Sequence, residues 1–234
     1  MKNALILLAG GKGKRFGDKV PKQFVKVGNT NFIEYFLSKL DIEIFDIIII
    51  ALNKTNRKKH LELIKDKFQQ HNIGSSISGS TRQISTKNAL TLLKKNNPKN
   101  VLIHDSARPL VKNSLFRKII KTLKKNNSCI PYLSHNDLIK SKKGVLFESN
   151  EILNIQTPQG FNYKKIYTAH QNSKLKNAKD DSSILESFGE KLKMIKGDIF
   201  NLKITHKSDL EFFDKFRYKE FRNGIGYDIH KINF

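Results

Sequence analysis

Residues 4–15 read ALILLAGGKGKR, an apolar run that leads directly into a glycine-rich, basic turn. A continuous apolar run that stops at glycines is typical of a strand covered on both faces, so Ala4–Ala9 predicts a buried strand. Gly10, Gly11 and Gly13 permit a tight turn whose backbone N–H groups can point at an anion. The turn matches neither a Walker loop nor the GxGxxG dinucleotide pattern. It therefore predicts either an anion site or an ordinary flexible turn.

The same strand pattern recurs along the chain and alternates with helical patterns. Further strands are predicted at Phe45–Leu52, Val101–His104 and Cys129–Leu133, and a strand-like segment at Leu192–Ile195. Helical periodicity covers residues 31–40, 55–70, 83–95, 114–125, 164–175, 182–188 and 208–222. Alternating strands and helices imply right-handed crossovers, so we expect an α/β fold whose mainly parallel sheet is flanked by helices. Residues 136–154 are polar and break this rhythm, which predicts a projecting hairpin or arm.

Composition excludes several classes of protein. A length of 234 residues with 38% hydrophobic residues allows one large domain with a sizeable core. The only cysteine, Cys129, cannot form an intrachain disulfide or a cysteine-rich zinc site, which favours a reducing compartment. The longest apolar run, Ile44–Leu52, is far shorter than the ~20 residues of a membrane helix. We expect a cytoplasmic protein with no membrane partner.

The net charge of +23 indicates an anionic partner. Nucleic acid, a membrane surface and phosphorylated small molecules all satisfy that requirement. A nucleic-acid-binding protein should show basic residues interleaved with stacking aromatic residues or a recognition helix, and the sequence contains neither signature. Nucleic acid is therefore not the expected partner.

Four further motifs carry possible chemistry. Asp105 ends a predicted strand in HDSARP (104–109), where it can hold Mg²⁺ between phosphates or instead cap the turn and pair with Arg108. GSTRQIS (79–85) enters a helix as an anion site or as a plain N-cap. In the strand-like NLKIT (201–205), Lys203 reaches a phosphate or is simply solvated. QTPQGF (156–161) is a turn without meaning in isolation.

Taken in order, these motifs resemble one family over residues 4 to about 218. GGKGKR, PKQF, GSTRQIS, HDSARP, Asp180-Asp181, QTPQGF and NLKIT are similar to the 2-C-methyl-D-erythritol 4-phosphate cytidylyltransferases of the non-mevalonate isoprenoid pathway. The resemblance implies a Rossmann-like nucleotidyltransferase fold over residues 1–222 and a homodimer formed through a β-arm at about 136–155. It also implies CTP and a polyol phosphate as substrates, with Mg²⁺ as cofactor.

The resemblance assigns roles residue by residue. It makes Arg15, Lys22 and Lys203 the cations that hold the CTP phosphates and stabilise the transition state, and Thr157 a contact to the polyol phosphate. Asp105 lies near the ribose and the metal. The remaining substrate-binding residues implied by the motifs are Ala9, Gly10, Gly11, Gly13, Gly79, Arg82, Ser85, Ser106 and Arg108. The nucleophile is already a phosphate anion, so no general base is expected, and electrostatic stabilisation carries the catalysis.

Two family residues are replaced. An arginine that grips the second substrate is expected at position 149, where the chain has Ser149, and a threonine of the arm is replaced by Leu138. Lysines 140, 142 and 143 are the candidates to supply the missing charge, although lysine does not reproduce the bidentate grip of arginine. Two neighbouring functions also stay open: ribitol 5-phosphate cytidylyltransferase and, more distantly, sugar-nucleotide pyrophosphorylase.

The tail, residues 223–234, resembles the opening strand of methylerythritol cyclodiphosphate synthase, a zinc enzyme fused to this cytidylyltransferase in some bacteria. Asp228 and His230 match two of its metal ligands, and an Asp-x-His strand places both side chains on one face. No third ligand follows before Phe234. We interpret the tail as the vestige or truncated start of such a fusion, without a working zinc site.

Overall fold

The computed structural model describes residues 2–11, 21–55, 57–135, 137–148 and 151–217, without the side chains of Lys22, Ile42, Phe216 and Arg217. Within these ranges the strands are β1 (Asn3–Leu8), β2 (Ile47–Leu52), β3 (Ile73–Ile77), β4 (Asn100–Asp105), β5 (Ser128–Ser134), β6 (Ile139–Lys140), β7 (Leu146–Phe147), β8 (Leu153–Ile155), β9 (Gln159–Asn162) and β10 (Met194–Lys196). The α-helices are α1 (Phe32–Lys39), α2 (Arg57–Lys67), α3 (Arg82–Leu92), α4 (Asn113–Leu123), α5 (Tyr163–Asn172), α6 (Ser182–Glu186) and α7 (Ser208–Arg217).

The apolar runs form the centre of one sheet. Its order is β3-β2-β1-β4-β9-β5-β10, with β8 added along β5. The pairs β1–β2, β1–β4, β2–β3 and β5–β10 are parallel, whereas β9 is antiparallel to both β4 and β5. The predicted α/β fold with a mostly parallel sheet flanked by helices is therefore confirmed.

Alternation along β1 divides the core into two layers, because successive side chains of a strand point to opposite faces. Leu5 and Leu7 pack with residues of α1, α2 and α4, while Ala4 and Ile6 pack with residues of α3, α5 and α6. Helices thus cover both faces of β1. This double burial explains why its sequence is continuously apolar.

Two strands were not predicted, and one predicted strand is absent. β3 has the sequence IGSSI, whose glycine and serines hide the strand pattern, and β9 overlaps the QTPQGF motif, for which the sequence predicts a turn. Residues 201–205, predicted to be strand-like, adopt no regular structure. Leu202 and Ile204 alternate in the sequence as in a strand, but Leu202 is 37% exposed whereas Ile204 is buried.

The expected arm is a small hairpin. β6 and β7 form an antiparallel sheet of two strands apart from the main one, pairing Ile139 with Phe147. At the end of its predicted extent, 136–155, Leu153–Ile155 forms strand β8, which pairs with β5 of the main sheet. Ser149 lies outside the described residues.

Candidate active site

Parallel strands bring their carboxyl-end loops to one edge of a sheet, where ligands of open α/β folds bind. Here the loops after β1, β2, β3 and β4 line a cleft of about 660 Å³. Eight predicted site residues line it: Gly10, Gly11, Gly79, Arg82, Ser85, Asp105, Ser106 and Lys203. The cleft falls in the size range of small-molecule sites.

Asp105 links two cations across the cleft. Its Oδ2 atom lies 2.7 Å from Lys203 Nζ, and its Oδ1 atom lies 3.3 Å from Arg82 Nε. Burial alone would raise the pKa of Asp105, but Arg82 and Lys203 outweigh it and hold this pKa well below its usual range. The carboxylate is therefore ionised at neutral pH. The expected pairing with Arg108 is present in part: the Arg108 N–H donates to the Asp105 carbonyl at 2.9 Å, and the Arg108 charge also lowers the pKa of the Asp105 carboxyl. The Arg108 guanidinium itself donates to the Asn201 carbonyl at 2.7 Å.

Arg82 forms an ion pair with the fully buried carboxylate of Asp181. Its Nη1 atom lies 2.6 Å from Asp181 Oδ2, and Asp181 Oδ1 lies 3.1 Å from His170 Nε2. Burial opposes the charge on Arg82, yet the two carboxylates raise its pKa above the ordinary value. Arg82 Nη2 is buried and has no hydrogen-bond partner within the described part of the chain. The Arg82 guanidinium is therefore held by two carboxylates, and its Nη2 group remains available as a donor.

Thr157 lies behind Asp105 rather than on the cleft surface. Its Oγ1 accepts from the Asp105 N–H at 3.1 Å and lies 3.1 Å from His104 Nδ1. His104 Nε2 lies 3.1 Å from the Arg108 carbonyl, which only accepts, so Nε2 carries the proton and Nδ1 accepts from the threonine hydroxyl. Burial lowers the pKa of His104 to about 4, which keeps the ring neutral. The Thr157 hydroxyl proton is therefore engaged inside the protein.

The glycine turn is fitted to its neighbours. A Cβ atom on Gly10 would lie 2.1 Å from Ser78 Cβ, so only glycine permits this approach of the β1 and β3 loops. The buried Gln23 amide donates to the Ala9 and Gly11 carbonyls. Ser106 Oγ donates to the Leu8 carbonyl at 2.8 Å, which ties the β4 loop to β1.

The entry to α3 is a side-chain-capped helix start. Thr81 Oγ1 accepts from the Ile84 N–H at 3.2 Å, which confirms the N-cap interpretation. Ser85 Oγ accepts from the Gly79 N–H at 3.0 Å and donates to the Thr81 carbonyl at 2.8 Å. Thr81 and Ser85 therefore shape the loop that lines the cleft.

One protein family matches nearly the whole chain. The family described as IspD, 2-C-methyl-D-erythritol 4-phosphate cytidylyltransferase, matches residues 3–216. The chain belongs to this family.

Relatives of this cytidylyltransferase family cover nearly the whole chain. The chain is 36% identical to the bifunctional enzyme IspD/IspF of Pelagibacter ubique, with 99% of the chain and 61% of that relative aligned. It is 34% identical to the 2-C-methyl-D-erythritol 4-phosphate cytidylyltransferase of Thermotoga neapolitana, with 89% of the chain and 94% of that relative aligned. The chain thus spans less than two thirds of the bifunctional relative.

Solved structures of the family share the fold. The 4-diphosphocytidyl-2C-methyl-D-erythritol synthase of Anaerococcus prevotii superposes with a TM-score of 0.78 at 29% identity, covering 92% of this chain and 97% of that one. The bifunctional IspDF of Campylobacter jejuni gives a TM-score of 0.75 at 29% identity, covering 90% of this chain and 54% of that one. The Rossmann-like nucleotidyltransferase fold is thereby established.

Most of the predicted site residues that the structure describes line the cleft, and three do not. Ala9, Arg108 and Thr157 do not line it, and the latter two brace its walls. Gly13, Arg15, Asp228, His230 and the Lys22 side chain lie outside what the structure describes.

Other residues of this cytidylyltransferase fold were missed by sequence reasoning. Asn53, Lys54, Thr55 and Ser78 line the cleft but lie in none of the motifs. Gln23 and Ser80, which also line it, and Asp181, which contacts Arg82, lie in the motifs without an assigned role. The position of Asn53–Thr55 after the predicted strand β2 was the available signal. Nothing in the sequence identified Asp181 as the buried partner of Arg82.

Proposed function

We propose that the protein transfers the cytidylyl group of CTP to 2-C-methyl-D-erythritol 4-phosphate, in non-mevalonate isoprenoid precursor synthesis. The products are 4-diphosphocytidyl-2-C-methyl-D-erythritol and pyrophosphate. The observation that carries the proposal is the convergence of Arg82, Asp105 and Lys203 on one nucleotide-sized cleft in a chain of this family.

The reaction brings two anions together. An oxygen of the polyol phosphate bonds to the α-phosphorus of CTP while the bond from that phosphorus to the bridging oxygen of pyrophosphate breaks. Lys203 offers a cation at the cleft surface, with 43% of its side chain exposed, and Arg15 and Lys22 are proposed from their motifs to offer two more. Preorganised cations stabilise the charge that develops in such a transition state.

Mg²⁺ is the proposed cofactor, and the donor set agrees with it. Among the described residues, the cleft presents one ionised carboxylate, Asp105, and no group of three His, Cys, Asp or Glu side chains suitable for a metal occurs. Mg²⁺ is commonly bound through one or two carboxylates together with substrate phosphates, so a lone Asp105 fits that mode. When bound, the ion would neutralise charge on the phosphates.

The decisive experiment measures pyrophosphate release from CTP with Mg²⁺. We expect release with methylerythritol 4-phosphate and loss of release after chelation by EDTA, restored by excess Mg²⁺. Release with ribitol 5-phosphate alone would instead favour the neighbouring polyol-phosphate enzyme. Release only with UTP and a sugar 1-phosphate would favour a pyrophosphorylase. Absence of release with every pair would contradict the proposal.

Recognition of the polyol phosphate is proposed to be weakened at position 149. Serine provides neither the positive charge nor the two parallel N–H donors of the arginine that the family has there. Ser149→Arg should therefore lower KM for the polyol phosphate and leave KM for CTP unchanged. An unchanged polyol KM would mean that lysines 140, 142 or 143, or another group, already supply the charge.

A homodimer through the arm is also proposed. Leu138, Val145 and Leu146 are 66%, 53% and 57% exposed on the β6–β7 hairpin, and an isolated two-stranded hairpin is marginally stable. A partner copy that covers these side chains would stabilise it. Leu146→Glu should shift sedimentation from dimer to monomer, whereas the exposed Leu63→Glu on α2 should not. A monomeric parent protein would refute the dimer.

Residues 1–222 are proposed as the cytidylyltransferase domain and residues 223–234 as the start of a cyclodiphosphate-synthase-like segment. Support comes from the Asp228-x-His230 pattern and from alignment of 99% of the chain with a bifunctional relative.

No helix within the described residues is long and apolar enough to cross a bilayer. We propose a cytoplasmic location, and we do not propose a nucleic-acid partner.

A further inference from the structure

The segment that carries Lys203 has no regular secondary structure, so something else must fix it. Within residues 197–204 only Asn201 and Ile204 are buried, and buried backbone N–H and C=O groups need hydrogen-bond partners whether or not they lie in a regular element. Residues 197–204 find many of these partners in side chains. One side chain, Gln156, provides several of them.

The Gln156 side-chain amide hydrogen-bonds the backbone of residues 197–204 in the way that a neighbouring strand would. Its Nε2 donates to the Asp198 carbonyl at 2.9 Å and lies 3.4 Å from the Asn201 carbonyl. Its Oε1 accepts from the Asp198 N–H at 3.1 Å. Because the amide both donates and accepts a hydrogen bond with the Asp198 backbone, it fixes the position and the direction of the segment. Gln156 is only 3% exposed.

Other contacts also hold the segment, including the donation of Arg108 Nη1 to the Asn201 carbonyl at 2.7 Å and the ion pair of Lys112 with Asp198 at 2.9 Å. Asn201 Nδ2 donates to the Thr157 carbonyl at 2.7 Å and lies 3.4 Å from Gln156 Oε1. The Ile204 N–H donates to the Ala107 carbonyl at 2.8 Å, beside Asp105. Lys203 is therefore held between two anchored residues, Asn201 and Ile204.

The packing around the amide leaves no spare room. A Cβ atom on Gly197 would lie 2.3 Å from Gln156 Oε1 and 3.2 Å from the Tyr132 carbonyl. Gly197 also donates its N–H to that carbonyl at 2.8 Å. Gly197 and the Gln156 amide are therefore fitted to each other.

We propose that Gln156 is a positioning residue for catalysis, which places the Lys203 ammonium against the reacting phosphates without touching substrate. This proposal rests on the proposed function. Gln156 does not line the cleft, so its influence must pass through the 197–204 segment. A lysine held on a flexible segment would lose the preorganisation on which electrostatic catalysis depends.

The test is a double-mutant cycle in the pyrophosphate-release assay. Gln156→Met keeps the side-chain length and removes the hydrogen bonds, and we expect kcat to fall roughly 10- to 100-fold through misplacement of Lys203. In a Lys203→Ala background the same substitution should change kcat by less than about 2-fold, because coupled residues are not additive. Gly197→Ala perturbs the same amide from the other side and should behave alike.

The matched control is Gln171→Leu. Gln171, on α5, also makes a side-chain hydrogen bond, to Thr91 Oγ1 at 3.0 Å, but it lies in none of the family motifs and does not line the cleft. We expect its kcat to stay near that of the parent. All variants are assayed at a temperature where circular dichroism shows them folded.

The outcomes separate the two proposals. A parent protein without pyrophosphate release refutes the proposed function itself. With an active parent, normal kcat in Gln156→Met, or an equal loss with and without Lys203, refutes the positioning role. A loss that disappears in the Lys203→Ala background, for Gln156→Met and Gly197→Ala alike, supports it.

Discussion

The ammonium group of Lys203 lies 2.7 Å from the Asp105 carboxylate, although 98 positions separate the two residues in the chain. The lysine side chain is 43% exposed, and the carboxylate is 12% exposed. Loss of the partly exposed lysine should cost only about 1 kcal/mol of stability, because Asp105 keeps Arg82 as a second cationic partner. The pair therefore serves to direct charge into the cleft more than to hold the fold together.

Lys203→Ala should accordingly lower kcat by roughly 100-fold or more and leave the melting temperature nearly unchanged. The motif assigns Lys22 a parallel role, so Lys22→Ala should act similarly. Lys121→Ala, on the exposed surface of α4, controls for loss of a lysine. Near-normal turnover in Lys203→Ala would remove this lysine from the mechanism.

Asp181 should matter for stability as well as for activity. Asp181→Ala leaves the largely buried Arg82 with one carboxylate fewer, and breaking a buried pair typically costs about 3–5 kcal/mol. Glu34→Ala breaks the more exposed Lys67–Glu34 pair and should cost at most about 1 kcal/mol. Urea denaturation of the two variants measures the contrast, and equal costs would contradict the buried role of Asp181.

Thr157 should act through its hydroxyl group. Thr157→Val leaves the Asp105 N–H and His104 Nδ1 without their partner and should destabilise the fold by roughly 1–3 kcal/mol. Thr157→Ser keeps the hydroxyl and should cost only about 1 kcal/mol for the lost methyl group. If valine and serine are equally tolerated, the hydroxyl does not brace this wall of the cleft.

His104 should make the fold sensitive to mild acid. Its pKa is lowered by burial from 6.5 to about 4, so the unfolded chain binds a proton there more readily than the folded chain does. Stability from this group is complete above pH 6.5 and falls by roughly 3 kcal/mol as pH drops toward 4. His104→Gln should flatten that part of the stability curve. Asp105 and Asp181, whose pKa values are lowered, mainly titrate at more acidic pH. An unchanged slope in His104→Gln would contradict the neutral buried ring.

The glycine turn offers a matched pair of substitutions. Gly10→Ala forces a contact with Ser78 Cβ and should lower the melting temperature, whereas a Cβ on Gly11 meets nothing within 4 Å. Gly11→Ala should therefore leave stability nearly unchanged, although both positions line the cleft. Thermal melts of the two variants decide the point, and equal melting temperatures would contradict the close approach.

Sequence patterns predicted the core strands β1, β2 and β4 because each is buried on both faces and reads as a continuous apolar run. The same rule missed β3, since its IGSSI sequence buries small polar residues against neighbours that no local pattern reveals. It also misjudged residues 201–205, where Leu202 and Ile204 alternate as in a strand although the segment is irregular. The periodicity of apolar residues indicates which side chains are buried, but it does not specify whether the backbone is hydrogen-bonded as a strand.

By itself the sequence determined the α/β class, the glycine turn at the end of β1, and a set of cations and one carboxylate suited to a nucleotide. Those properties are local, because they depend on neighbouring residues and on the order of short motifs. The tertiary structure alone decided that Asp105 contacts Arg82 and Lys203, that Asp181 supports Arg82, and that Thr157 faces inward. Each of these contacts joins residues brought together only by the sheet, and their distances and burial have no counterpart in the linear chain.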